Sequence, residues 1–236
     1  MQAAFAALQT GDAPVVCILE QQLPLAAECS VVLARGHDGQ CVHLPLQLNR
    51  HRDGILAVTE VWANALPEHT TQQALHAAQQ IAASLHYVGV LCVEFFLIEE
   101  GPVCDVLGPL VVNEIAPRPH NSGHHSLDAC DLSQFELQVR CMARLPLRQV
   151  RLHSPVAMIN LLGDLWYANA ASQARTPPWD RVLALPGVHL HLYGKLQPRR
   201  GRKMGHLTIT AVDAAALDHV SQQVTQILGL PAATAL

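Results

Sequence analysis

Two glutamates stand alone inside apolar, β-branched runs: Glu94 in "VLCVEFFLI" and Glu114 in "LVVNEI". An unpaired carboxylate buried among such side chains costs several kcal/mol. The fold must therefore either pair each acid or gather both around a cation. The connecting "IEEGPVCDVLGPL" carries turn-forming glycines and prolines, so the two runs read as neighbouring antiparallel strands. With their side chains on one face the acids repel each other unless a cation lies between them. Hard oxygen ligands on rigid strands suit a magnesium–nucleotide site, where phosphate oxygens complete the octahedron. The alternative is an ion pair with Arg118, which is close enough in sequence to serve.

The surrounding pattern is α+β. Short strand-like runs occupy residues 15–20, 28–34, 41–46 and 54–62, and "RGHDGQ" between two of them carries the Asp-Gly signal of a hairpin. Residues 71–86 place apolar side chains at helical spacing behind a threonine. Strands at 88–98 and 110–115 follow, then a helix over 133–145 stopped by Pro146. This order predicts an antiparallel sheet covered by helices on one face. The proline-bearing "PLRQVRLHSP" marks a boundary dividing residues 1–147 from a smaller β-rich unit, 148–236. That unit holds strands at 156–162, 188–194 and 205–211 and a final helix over 213–228.

Composition excludes several classes of function. A net charge of −4 and a pI near 6.4 give no global case for nucleic acid or an anionic membrane. No apolar run reaches the roughly 18 to 20 residues that span a bilayer, and "MQAAFAALQT" lacks the basic start of a secretory signal. Seven cysteines without a CxxC pair argue against a zinc site or disulfide framework and for a reducing, cytoplasmic setting.

Polar chemistry concentrates in two places. In "VVNEIAPRPHNSGHHSLDAC", Pro117 and Pro119 hold Arg118 extended, and its guanidinium fork suits a carboxylate or phosphate. Gly123, within "HNSGHH", allows close backbone approach. The second cluster is "KLQPRRGRKMGH", which gathers five of the fifteen Lys and Arg residues within nine positions. Such a turn can hold a phosphate monoester, although a solvated basic hairpin tip has the same composition.

"NEIAPRPHNSGHHSLDACDLSQFE" resembles the signature segment of the N5-carboxyaminoimidazole ribonucleotide synthetases, ATP-grasp ligases of purine biosynthesis. "ILEQQLPLAAECSVVLARGHDGQ", "HRDGILAV" and "YGKLQPRRGRKMGHLTI" are similar to the same family in the same order. The resemblance implies the C-terminal half of an ATP-grasp fold followed by a small β-rich domain. It implies ATP and Mg2+ as cofactors, with bicarbonate and 5-aminoimidazole ribonucleotide as substrates, and a possible homodimer.

The resemblance also implies residue roles. Glu20, Gln21, Gln22 and Leu23 lie in the stretch that contacts adenine, Glu28 reaches the ribose hydroxyls and His51 lies near the nucleotide. Glu94 and Glu114 bind magnesium, with Asn113 beside Glu114 at the phosphates. Arg118, His120 and Asn121, as catalytic residues, and Ser122 face bicarbonate and the imidazole nucleotide, while Lys195, Arg202 and Lys203 grip its 5′-phosphate.

Two departures qualify this resemblance. The segment between Glu94 and Glu114 is longer than the family's, which predicts an enlarged hairpin loop. The chain also has no Gly-Gly pair and only two lysines, Lys195 and Lys203. It therefore reads as lacking the lid and the N-terminal α/β domain, with little or no ATPase activity alone. The competing readings are an inactive nucleotide-binding or interaction module, and another ATP-grasp ligase such as the formate-dependent glycinamide ribonucleotide transformylase.

Overall fold

A computed structural model describes residues 5, 6, 8, 9, 15–167 and 174–231. Its strands are β1 (Leu25–Arg35), β2 (Cys41–His43), β3 (Gln47–Arg52), β4 (Ile55–Val61), β5 (Gly89–Ile98), β6 (Leu110–Ala116), β7 (Val156–Leu162), β8 (Val188–Leu192) and β9 (Lys203–Thr210). Its helices are α1 (Glu68–Ser84), α2 (Pro102–Leu107), α3 (Ser126–Ala129), α4 (Gln134–Met142), α5 (Trp179–Leu183) and α6 (Ala214–Leu228). The strands form one antiparallel sheet in the order β6-β5-β1-β3-β4-β7-β9-β8, with β2 paired to β1. β4 pairs with β7 across the boundary expected near residue 147, so the sheet is continuous there.

The expectation of one covered face is corrected. The odd side chains Val31, Leu33, Leu91 and Val93 pack against α1, where Ala74, Ala78 and Ala82 repeat every fourth residue. The even ones, Val32, Ala34, Val90 and Cys92, pack against α4 through Leu137 and Cys141. β1 and β5 are thus buried on both faces, which is why they read as continuous apolar runs and not as alternating ones. A third core lies under α6, with Ile159, Leu161, Leu207 and Ile209 from the sheet.

Other sequence expectations shift locally. Residues 15–24 form no strand and carry exposed Val16, Ile18 and Leu19. The strand expected over 41–46 stops at His43, and pairing with β1 resumes at Gln47. Pro45 lies in the gap, and proline has no N–H to give to a ladder. A tight turn through Asp53 (φ 49°) and Gly54 (φ 72°) joins β3 to β4, the left-handed pair that an Asp-Gly hairpin adopts. The long connection from β5 to β6 holds α2, with Pro102 in its first turn.

Candidate functional site

The even face of β1 and β5 changes character along its length. Val32, Ala34, Val90 and Cys92 are apolar beneath α4; beyond them come Glu28, Ser30 and Glu94. Over this polar end lies a cleft of about 480 Å3 lined by His51, Glu94, Glu114, Arg118, His120, Lys195 and Lys203. Gly54, Ile55, Leu56 and Gly201 complete its wall.

Glu94 stands directly opposite Glu114 across the β5–β6 pair and opposite Ser30 across β1–β5. Directly opposed residues share a face, with Cβ atoms about 5 Å apart, so the two acids are neighbours. The ladder then steps from Glu94↔Glu114 to Phe95↔Val112, leaving Asn113 as the extra residue of a β-bulge. The long connection therefore leaves the acids in register.

Glu94 is only 7% exposed, and its Oε1 is buried without a hydrogen-bond partner. Burial pushes its carboxyl above the usual range, with nearby His51 opposing and Glu114 and Glu28 adding to the rise. Among the described residues neither acid forms an ion pair with Arg118, whose Nη1 donates to the Pro119 carbonyl at 3.1 Å. A desolvated carboxylate with an orphan oxygen beside a second carboxylate fits a hard divalent cation.

Positive groups face these acids. Lys203 is held below its usual pKa by burial and by Arg118, against the pull of Glu94. His51 Nδ1 donates to Glu28 Oε2, and this hydrogen bond is the main reason its pKa is raised. His120 Nδ1 lies 3.9 Å from Glu94 Oε1. Burial, then Arg118, Lys203 and His51, lower its pKa to about 4, so the imidazole is neutral at pH 7.

The basic turn is anchored by backbone contacts. Gly163 donates its N–H to the Arg202 carbonyl at 2.8 Å, and Gly201 donates to Asp164 Oδ2 at 2.6 Å. A Cβ on Gly163 would fall 2.1 Å from the Arg199 carbonyl oxygen, so only glycine permits this approach. Lys195 and Lys203 consequently reach the cleft. Arg202 does not line it; its Nη1 donates to the Gln197 carbonyl at 2.9 Å.

Other expected site residues lie elsewhere. Glu20, Gln21 and Gln22 are exposed and Leu23 is half-buried in the irregular stretch before β1, outside the cleft wall. Glu28 is committed to His51, and Asn113 is exposed at the bulge. Ser122 is fully buried, with its hydroxyl 3.1 Å from His120 Nδ1 and 3.6 Å from Cys92 Sγ. Asn121 lies in the same 3-10 turn, its Nδ2 buried without a partner.

A supporting ladder escaped sequence reasoning. Thr59 Oγ1 donates to Asn49 Oδ1 (2.9 Å), Asn49 Nδ2 to Ser30 Oγ (2.8 Å) and Ser30 Oγ to Gln47 Oε1 (3.1 Å), all buried. β3 supplies Gln47 and Asn49, so missing that strand hid the ladder.

Comparison with known proteins adds independent findings. The ATP-grasp domain model matches residues 1–135, and the phosphoribosylaminoimidazole carboxylase C-terminal domain model matches 156–220. N5-carboxyaminoimidazole ribonucleotide synthase of Escherichia coli (strain K12) is 41% identical over 205 residues, covering 85% of this chain and 50% of that protein. The crystal structure of N5-carboxyaminoimidazole ribonucleotide synthetase from Thermus thermophilus superposes with a TM-score of 0.76 at 35% identity, covering 88% of this chain and 52% of that one. The Aspergillus clavatus synthase, in complex with ADP and 5-aminoimidazole ribonucleotide, gives 0.76 at 27% identity and covers 89% and 53%. The chain thus spans about half the length of these relatives.

Proposed function

Because the chain belongs to the ATP-grasp family, we propose that it provides the metal-binding and substrate-binding half of a carbon–nitrogen ligase. That ligase uses ATP to join bicarbonate to the exocyclic amine of 5-aminoimidazole ribonucleotide. The observation that carries this reading is Glu94 facing Glu114 in one cleft with Lys195 and Lys203. A phosphate-bearing substrate needs cations at one end, and a nucleotide–metal complex needs acids at the other.

In the reaction, the γ-phosphoryl group of ATP passes to bicarbonate, giving ADP and carboxyphosphate. The amine then captures the carboxyl carbon and phosphate leaves. Glu94 and Glu114 would hold magnesium, which when bound offsets negative charge on the phosphates. Asn113 sits beside them at the bulge. Lys195 and Lys203 grip the 5′-phosphate, and Arg202 braces their turn through the Gln197 carbonyl. Arg118 orients bicarbonate through its planar fork. Neutral His120 can donate one hydrogen bond to a substrate oxygen without adding charge to a crowded site. Asn121 and Ser122 support that turn from behind. Glu20, Gln21, Gln22 and Leu23 serve adenine, Glu28 the ribose and His51 the nucleotide. These contacts need segment 15–24 to fold over the bound nucleotide.

The test measures ADP release with 5-aminoimidazole ribonucleotide and bicarbonate. It compares this chain with a fusion placing it behind the N-terminal half of the Escherichia coli relative. The fusion is expected to release ADP only when both substrates are present, and the chain alone little or none. Glu94→Gln and Glu114→Gln should each abolish turnover by the fusion. A folded fusion without substrate-dependent ADP release would overturn the ligase reading and favour a binding module.

A further inference from the structure

Gln134 opens α4 yet is completely buried, on the helix face it shares with Leu137 and Cys141. A carboxamide in that position must find partners, and it finds them on the backbone of one residue. Its Oε1 accepts the N–H of His120 at 2.8 Å, and its Nε2 donates to the His120 carbonyl at 2.7 Å. The same Nε2 lies 2.9 Å from His124 Nδ1. The carboxamide fills the space a side chain at 123 would need: a Cβ on Gly123 would lie 2.6 Å from its Oε1. Ser126 Oγ accepts from the Gln134 backbone N–H at 3.0 Å and donates to the Gly123 carbonyl at 2.5 Å, locking the turn to the helix.

We propose that Gln134 is a positioning residue for the cleft: it clamps the His120 peptide and so holds the His120 ring as its Nε2–H tautomer, turned to donate to substrate. With the peptide fixed, His120 Nδ1 accepts from the Ser122 backbone N–H and lies 3.1 Å from Ser122 Oγ. A neutral imidazole whose Nδ1 accepts carries its proton on Nε2. Among the described residues no protein group hydrogen-bonds His120 Nε2, which leaves that N–H for a ligand in the cleft. The contact with His124 requires an unprotonated Nδ1 there too, because the carboxamide nitrogen is a donor. The His124 ring lies against that of His206, tilted by 31° with 4.8 Å between centroids, which ties the clamp to β9. Gln134 touches neither acid of the cleft and acts only through His120.

The test uses two near-isosteric variants, so that packing is retained. Gln134→Met removes both hydrogen bonds to the His120 peptide. Gln134→Glu keeps an acceptor for the His120 N–H but loses the donor until the carboxyl is protonated. The groups facing that carboxyl are His120, His124 and, behind His124, His206. Nitrogen NMR of the imidazoles, on this chain, reads the tautomer directly. Wild type should show a fixed Nε2–H form at His120, and Gln134→Met an average of both tautomers. Gln134→Glu, which keeps the acceptor for the His120 N–H and loses the donor, should fall between the two when all three are compared at neutral pH. Unchanged His120 nitrogen shifts in both variants would overturn the proposal. A kinetic arm rests on the ligase reading: in the active fusion Gln134→Met should lower kcat by up to about 100-fold with the KM for ATP unchanged. If the fusion proves inactive, the ligase reading falls while the NMR result still decides the role of Gln134.

Discussion

Glu94 and Ser30 face each other across the β1–β5 pair, yet their hydrogen bonding differs. Ser30 belongs to a buried ladder in which Thr59, Asn49, Ser30 and Gln47 satisfy one another. Directly opposite it, Glu94 has a buried oxygen with no hydrogen-bond partner among the described residues. Both groups were removed from water, and only the first was compensated within the protein. A third case, Asp131, makes the contrast sharper. It takes hydrogen bonds from the Arg151 backbone and from the Arg148 and Arg151 side chains, which hold its carboxyl well below the usual range. A fold that can satisfy Asp131 so fully leaves Glu94 unsatisfied where a ligand can complete it.

The comparison can be broken by acid, by mutation and by loss of charge. Acid should have the largest effect, because the ladder contains no titratable group while the site's surroundings contain several. Burial lowers His120, His124 and His125 to about 4 and His206 to about 3. Unfolded imidazoles take up protons below about 6.5, so between pH 6.5 and 4 the unfolded state binds more protons and stability falls as pH falls. Each withheld proton costs up to about 1.4 kcal/mol per pH unit. Glu94 and Glu60, whose pKa values are raised by burial, work in the opposite sense, two groups against four. Urea midpoints that stay level from pH 6.5 to 4.5 would contradict this account.

Asn49→Leu comes next. It deletes two ladder bonds, leaving Thr59 without its acceptor and Ser30 with Gln47 alone, at a cost of about 3 kcal/mol in urea unfolding. A loss under about 1 kcal/mol would mean that water replaces the ladder. Glu94→Gln should go the other way in metal-free buffer and raise stability by about 1 kcal/mol, since a neutral amide is easier to bury. Destabilisation by this substitution would show that the carboxylate has an internal partner. Glu114→Gln, on the exposed side of the pair, should change metal-free stability by under about 0.5 kcal/mol. Thermal melts of the two variants side by side measure the difference directly.

Much of this was legible in the residues themselves. Lone acids in apolar runs identified the Glu94–Glu114 pair, and clustering of charge identified the Lys195–Lys203 turn. β3 escaped because "LQLNRHR" alternates apolar and polar only as far as Asn49 and is wholly polar from Arg50 to Arg52. Its Asp53-Gly54 turn was a readable signal. Gln134 was readable too, since Gln134, Leu137 and Cys141 fall on one helical stripe. What no local pattern could reveal is that Ser122 points inward and Arg202 bonds its own turn, because tertiary contacts decide both.

The β4–β7 pairing has a mechanical consequence. It places the strand pair bearing the acids and the hairpin bearing the lysines on a single plate, without a hinge between them. The carboxylates and the lysines that line the cleft are then carried by one continuous sheet. Those amide protons of Val58–Val61 and Val156–Ile159 that point across that seam should exchange with solvent together, and only when the whole sheet opens.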